Sequence, residues 1–344
     1  YTKSTGSAVS VTTTGSVVTK GALADGILAQ TISSGGGSFG VSHLAAKESG
    51  AGTLDFQLGS NGIDAQVTGN AVTVNAGASV ATAGNGSTAI TAQSLGAGGG
   101  VLAFELSSAT AGLTVYGRLG SEASHQGKSG AVSVSASGPL SSDGLFASLI
   151  LAQSIGGGGG RVVGLTSDGA GGQLIFGAGN NGGDGNSVSV STTESLTTTN
   201  NYSHGIVAQS IGAGGGLSDL AVQSVTFGSS STAQGVGGDV TVQASGPIAT
   251  AGTNAIGVVA QSIGGGGGLA VMNDNGVAEF GGDASSNPKG GTVFVSLVSS
   301  PTMWATINTT GKASPAVLAM SIGGGGVAGL YETAPTTTSA APFL

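Results

Sequence analysis

ILAQSIGGGGG, residues 150–160, carries the pattern on which the rest of the chain is built. Apolar Ile150 and Ala152 alternate with Leu151 and Gln153, the period-2 pattern of a strand, and a run of glycine ends it. The same phrase recurs as ILAQTISSGGG from Ile27, ITAQSLGAGGG from Ile90, IVAQSIGAGGG from Ile206, VVAQSIGGGGG from Val258 and VLAMSIGGGG from Val317. Read at Gln30, Gln93, Gln153, Gln209, Gln261 and Met320, the intervals are 63, 60, 56, 52 and 59 residues. Self-similarity at this period means a stack of supersecondary units, each burying a face that it cannot bury alone.

Each unit carries more strands in a fixed order. An alternating segment, AVTVNA (71–76), AVSVSA (131–136) or DVTVQA (239–244), is followed by ASVATA (78–83), GPLSSD (138–143) or GPIATA (246–251), and then by the AQSIG strand. After the glycines come a fourth strand, as in VLAFELS (101–107) and LAVMN (269–273), and a fifth, as in LTVYG (113–117), QLIFG (173–177) and VTFG (225–228). Short period-2 segments broken by Gly, Asn, Ser or Asp predict an all-β array, a parallel β-helix of six degenerate ~58-residue repeats. A sandwich or propeller of such units is the alternative. At the usual roughly 20 to 30 residues per coil, each unit would hold two or three coils, giving about a dozen coils and a rod of roughly 60 Å.

The solenoid is expected to run as one domain over residues 1–331, with motifs near 27–37, 90–100, 150–160, 206–216, 258–268 and 317–326. The Thr-, Pro- and Ala-rich residues 332–344 read as a linker or tail. The β-branched column Ile27, Ile90, Ile150, Ile206, Val258 and Val317, with the alanines two residues on, is the predicted core. The opposite face carries mixed residues and a ladder of Gln30, Gln93, Gln153, Gln209 and Gln261, where Met320 in the last copy favours packing over chemistry. Gly35, Gly98, Gly158, Gly214, Gly266 and Gly325 define a glycine stripe.

Composition narrows the function classes. Gly fills 69 of 344 positions, charged residues make up 7%, and 39% of the residues are hydrophobic, enough for burial and too apolar for a disordered linker. A net charge of −8 with eight scattered basic residues argues against a nucleic-acid partner. No apolar run approaches the ~20 residues of a spanning helix, so this segment is not expected to insert in a membrane. Cysteine is absent and the chain opens with Tyr1, which read together as an excised piece of an exported bacterial protein.

Chemical motifs are thin. Gly127-Lys128-Ser129 lacks the rest of a phosphate loop, and Gly36-Gly37-Ser38-Phe39-Gly40 matches a nucleophile elbow only as expected by chance in a glycine run. His43, His125 and His204 show no metal-ligand spacing and read as exposed loop residues; Asp184, Asp239 and Asp283 follow glycine pairs and read as turn residues. The threonine runs at 12–14, 197–199 and 336–338 do not repeat from unit to unit as an ice-binding array would. No catalytic residue, cofactor or metal is therefore expected.

The AQSIGGGGG units, preceded by a V-x-V strand, resemble the passenger regions of large Gram-negative autotransporters over residues 1 to about 330. That resemblance implies a right-handed β-helix displayed at the cell surface, a stalk or adhesin whose partner is a host or neighbouring cell. The family's translocating barrel has no counterpart in this sequence. A self-assembling extracellular filament or sheet subunit, whose partner is another copy of itself, is the rival expectation, because strand edges and glycine stripes invite association.

Overall fold

The computed structural model describes residues 5–44, 53–59, 68–106, 114–120, 127–165, 170–177, 183–228, 235–281, 288–301 and 303–323. Among these residues every regular element is a strand. The first strand of each unit (Val9–Thr13, Val72–Ala76, Val132–Ala136, Val188–Thr192, Val240–Ala244, Val293–Leu297) pairs in parallel with its counterpart in the next unit, forming a six-stranded first sheet. Three-residue strands such as Val80–Thr82 and Leu140–Ser142 form the second sheet, and the AQSIG strands, from Ile27–Ile32 to Val317–Ile322, form the third. Pairing is in register without a slip: Ile150 lies beside Ile90 and Ile206, and Gln153 beside Gln93 and Gln209.

This register corrects the coil count. A strand of one unit pairs directly with the same strand of the next, so each unit is one coil and the chain forms six rungs. At the ~4.8 Å strand spacing, five intervals give about 24 Å along the axis, well short of 60 Å. The extra residues go sideways instead. After the glycines the chain runs out along a fourth strand (Gly99–Leu106, Gly159–Leu165) and returns along a fifth (Thr114–Leu119, Ala170–Phe176). In the fourth and fifth rungs the two merge into Gly215–Phe227 and Gly267–Phe280.

Two principal cores follow from this path. Inside the coil, Val72, Val74, Val80, Ile90 and Ala92 and their equivalents along the stack form one apolar column set, as the alternation of the sequence predicts. In the side lobe the fourth and fifth strands face each other over Leu102, Phe104, Val115, Leu119, Phe176 and Phe227. Phe176 and Phe227 lie with ring centroids 4.7 Å apart, so the aromatic residues are concentrated where the layer has room for them. The lobe also covers the outer face of the third sheet, where Leu151, Val207 and Val259 are fully buried against Leu217, Ile256 and Leu269. That is why both faces of the AQSIG strand carry apolar residues.

Candidate functional site: stacked columns and a buried ionic cluster

In the predicted core column Ile90, Ile150, Ile206 and Val258 are fully buried and Ile27 nearly so, while Val317, on the last rung, is 40% exposed. The glutamines form a hydrogen-bonded column. Gln30 Nε2 donates to Gln93 Oε1 at 2.6 Å, Gln93 to Gln153 at 2.6 Å, Gln153 to Gln209 at 2.7 Å and Gln209 to Gln261 at 2.7 Å. A strand spacing near 4.8 Å sets stacked amides at bonding distance, and the remaining proton of Gln153 and Gln209 points to a glycine carbonyl at 3.4 Å.

The ladder stops at Met320, whose sulfur offers no comparable acceptor, and Gln261 Nε2 has no partner among the described residues. Met320→Gln is expected to supply it and raise stability by about 0.5–1.5 kcal/mol, read as a higher urea midpoint at unchanged slope.

The glycine stripe is the corner joining the third and fourth sheets. Gly35, Gly98, Gly158, Gly214 and Gly266 take φ between 81° and 97°, a left-handed conformation that glycine adopts freely; Gly325 lies outside the described residues. Immediately after them Gly99, Gly159 and Gly215 stack so closely that a Cβ on Gly159 would run into the Gly215 carbonyl. The runs are therefore intrachain backbone ladders.

A third column escaped the sequence reading although the repeats display it. Ser94, Ser154, Ser210 and Ser262 follow the ladder glutamines; Ser154 Oγ donates to the Gly130 carbonyl and accepts from the Asn186 N–H. Ser210 does the same between Asn186 and Gly238, so each serine stitches the segment entering its own rung to that of the next. Asp184 and Asp239 act similarly, accepting from the N–H groups of Val236 and Thr292. Asp184 also pairs with Lys128 at 2.8 Å, which accounts for the lysine of the phosphate-loop near miss.

Among the described residues, the most concentrated buried polar chemistry lies where the corners before the third sheet meet the side lobe. Arg161, 1% exposed, donates from Nε to Asp219 Oδ2 at 3.0 Å, from Nη1 to Thr88 Oγ1 at 2.7 Å and from Nη2 to the Phe146 carbonyl at 2.6 Å. Its Nη1 also lies 3.8 Å from Asp25 Oδ1, so one guanidinium ties together four rungs. Burial pushes the Asp219 carboxyl up to about 6 against the opposing pull of Arg161. Burial likewise raises Asp25, opposed by Arg161 and by hydrogen bonds from Thr91 and Thr88.

His204 overturns its reading as an exposed loop residue: it is 2% exposed, Nδ1 accepts from the Ile256 N–H at 3.1 Å, and burial with the Arg161 charge lowers its pKa to about 4. The sequence hid this cluster because the residue type does not repeat: Asp25, Thr88 and His204 share one position, two before Ile27, Ile90 and Ile206, while Arg161 and Asp219 stand where neighbouring rungs carry apolar residues. His43 lies on a strand and His125 and Asp283 lie outside the described residues.

Each guanidinium nitrogen of Arg161 donates to a protein acceptor, and Arg161, Asp219 and His204 are each no more than 2% exposed. The chemistry of the cluster is cross-linking of rungs. A shallow groove of about 340 Å³ runs across the second sheet, lined by Val18, Lys20, Ala81, Ser141, Asp143 and Thr197 among others. No group of three or more His, Cys, Asp or Glu able to hold a metal ion occurs among the described residues. No family model matches the chain, and no curated protein or solved structure matches it.

Proposed function

We propose that this chain is a non-enzymatic, surface-displayed β-helical stalk or adhesin, exported from a bacterial cell and serving attachment or display. The observation that carries the reading is the one-coil-per-repeat register. Columns of Ile, Gln, Ser and Gly run through the stack, so the sequence is spent on making a stiff unit that lengthens by repetition. The first sheet turns a hydroxyl-rich face outward, with Ser10, Thr73, Ser133, Ser189 and Thr241 in one column, a neutral and soluble exterior for a chain that carries few charges. The resemblance of the AQSIGGGGG units to autotransporter passengers supports display outside the cell.

One observation favours the rival, a self-assembling subunit of a filament or sheet. Val9, Val11, Val293 and Val295, on the outer rungs, are only partly buried against the core and present strand edges that another coil would cover. Electron microscopy and sedimentation of the purified chain across a concentration series separate the two. The stalk reading expects one small particle at every concentration; ordered polymers growing with concentration would make assembly the function.

A further inference from the structure

The corner between the first and second sheets takes three residues in five rungs, as at 137–139, and nine in the sixth, 298–306. The longer corner is closed by its own hydrogen bonds. The Ser300 N–H donates to the Met303 carbonyl at 2.9 Å, the Met303 N–H to Ser300 Oγ at 3.0 Å and the Ala305 N–H to Ser299 Oγ at 3.1 Å. On it stands Trp304, the chain's single tryptophan, 81% exposed, with Phe294 and Val298 also exposed close by in sequence. A structured excursion that leaves an indole in water does nothing for the core, so folding gives no reason for it.

The chemistry around the ring narrows what it meets. Residues 290–311 contain no charged side chain, while Thr306 and Asn308 are exposed hydrogen-bonding groups on the same segment. We propose that Trp304 and its corner form a docking platform for a neutral pyranose ring of a glycan. The apolar C–H face of the sugar lies on the indole, and its hydroxyls bond to the neighbouring hydroxyl and amide groups. An anionic lipid surface or a nucleic acid would call for Lys or Arg beside the tryptophan, and the net charge of −8 opposes both. This deepens the adhesive reading by naming a ligand class, and it rests on that reading.

The single tryptophan makes the intact chain its own reporter. Titration with laminarihexaose, cellohexaose or maltohexaose is expected to give a saturable blue shift of the emission with at least one of them. Calorimetry with the same sugar is expected to show binding weakened at least about tenfold in Trp304→Ala and partly kept in Trp304→Phe, with unchanged far-UV circular dichroism. No shift with any of the three sugars overturns the proposal. So does the same shift produced by vesicles of phosphatidylethanolamine and phosphatidylglycerol, or by raising protein concentration alone.

Retention of labelled chain on epithelial cells separates the two failures. Equal retention of wild type and Trp304→Ala sinks the glycan platform and leaves adhesion standing. Sugar binding without retention of the wild type sinks adhesion and leaves the platform.

Discussion

Arg161→Leu is expected to destabilise the fold by about 3–5 kcal/mol, the range found when one partner of a buried ion pair is removed. The loss comes from what remains. Asp219, 1% exposed, keeps a carboxylate that has lost the hydrogen bond and charge opposing its desolvation, while Thr88 and the Phe146 carbonyl lose their donor. The leucine itself fits, because the positions beside Arg161 in the neighbouring rungs are Val101 and Leu217. Arg161→Leu with Asp219→Val is therefore expected to recover most of the loss, since Val163 holds the place next to Asp219 one rung below. Urea unfolding of both single mutants and the double mutant measures this; a double mutant as unstable as the sum of its parts would show that the cluster does not act as a unit.

The second large effect is at the glycine ladder. Gly159→Ala places a Cβ against the Gly215 carbonyl at φ 143°, and both obstacles are backbone, which no rotamer change relieves. Opening the rung spacing there breaks pairing between Gly159–Leu165 and Gly215–Phe227 and pulls on the side-lobe core. A loss above about 4 kcal/mol, or failure to accumulate folded protein, is expected. Gly15→Ala is the control: nothing lies within 4 Å of the added Cβ, and the change is expected to stay within about 0.5 kcal/mol. Similar circular dichroism melting curves for the two variants would refute the stacking argument.

How much was legible depended on whether a feature repeats. Periodicity alone placed Val72–Ala76 and Ile150–Ile155 within a residue of their observed limits, because alternation and glycine breaks are local properties of the chain. Gln153 is legible because its type recurs at Gln93 and Gln209, and the same recurrence marks Ser94, Ser154 and Ser210. Arg161, Asp219, Asp25 and His204 recur nowhere. Asp25 and His204 share one repeat position but not a residue type, and only the folding of the side lobe against that column brings Arg161 and Asp219 to them.

The all-β character, the six units, the side chains of the coil interior and the places where backbone must pass without side chains are legible along the chain itself. Those properties follow from strand alternation and from glycine, which act over a few residues. That each unit is a single coil follows from strand pairing in space. Strand registry is a choice among distant partners, and the fourth and fifth strands satisfy theirs by folding into a side lobe with its own core instead of continuing the axial stack. The same non-local choice buried His204 beside the Arg161 cluster.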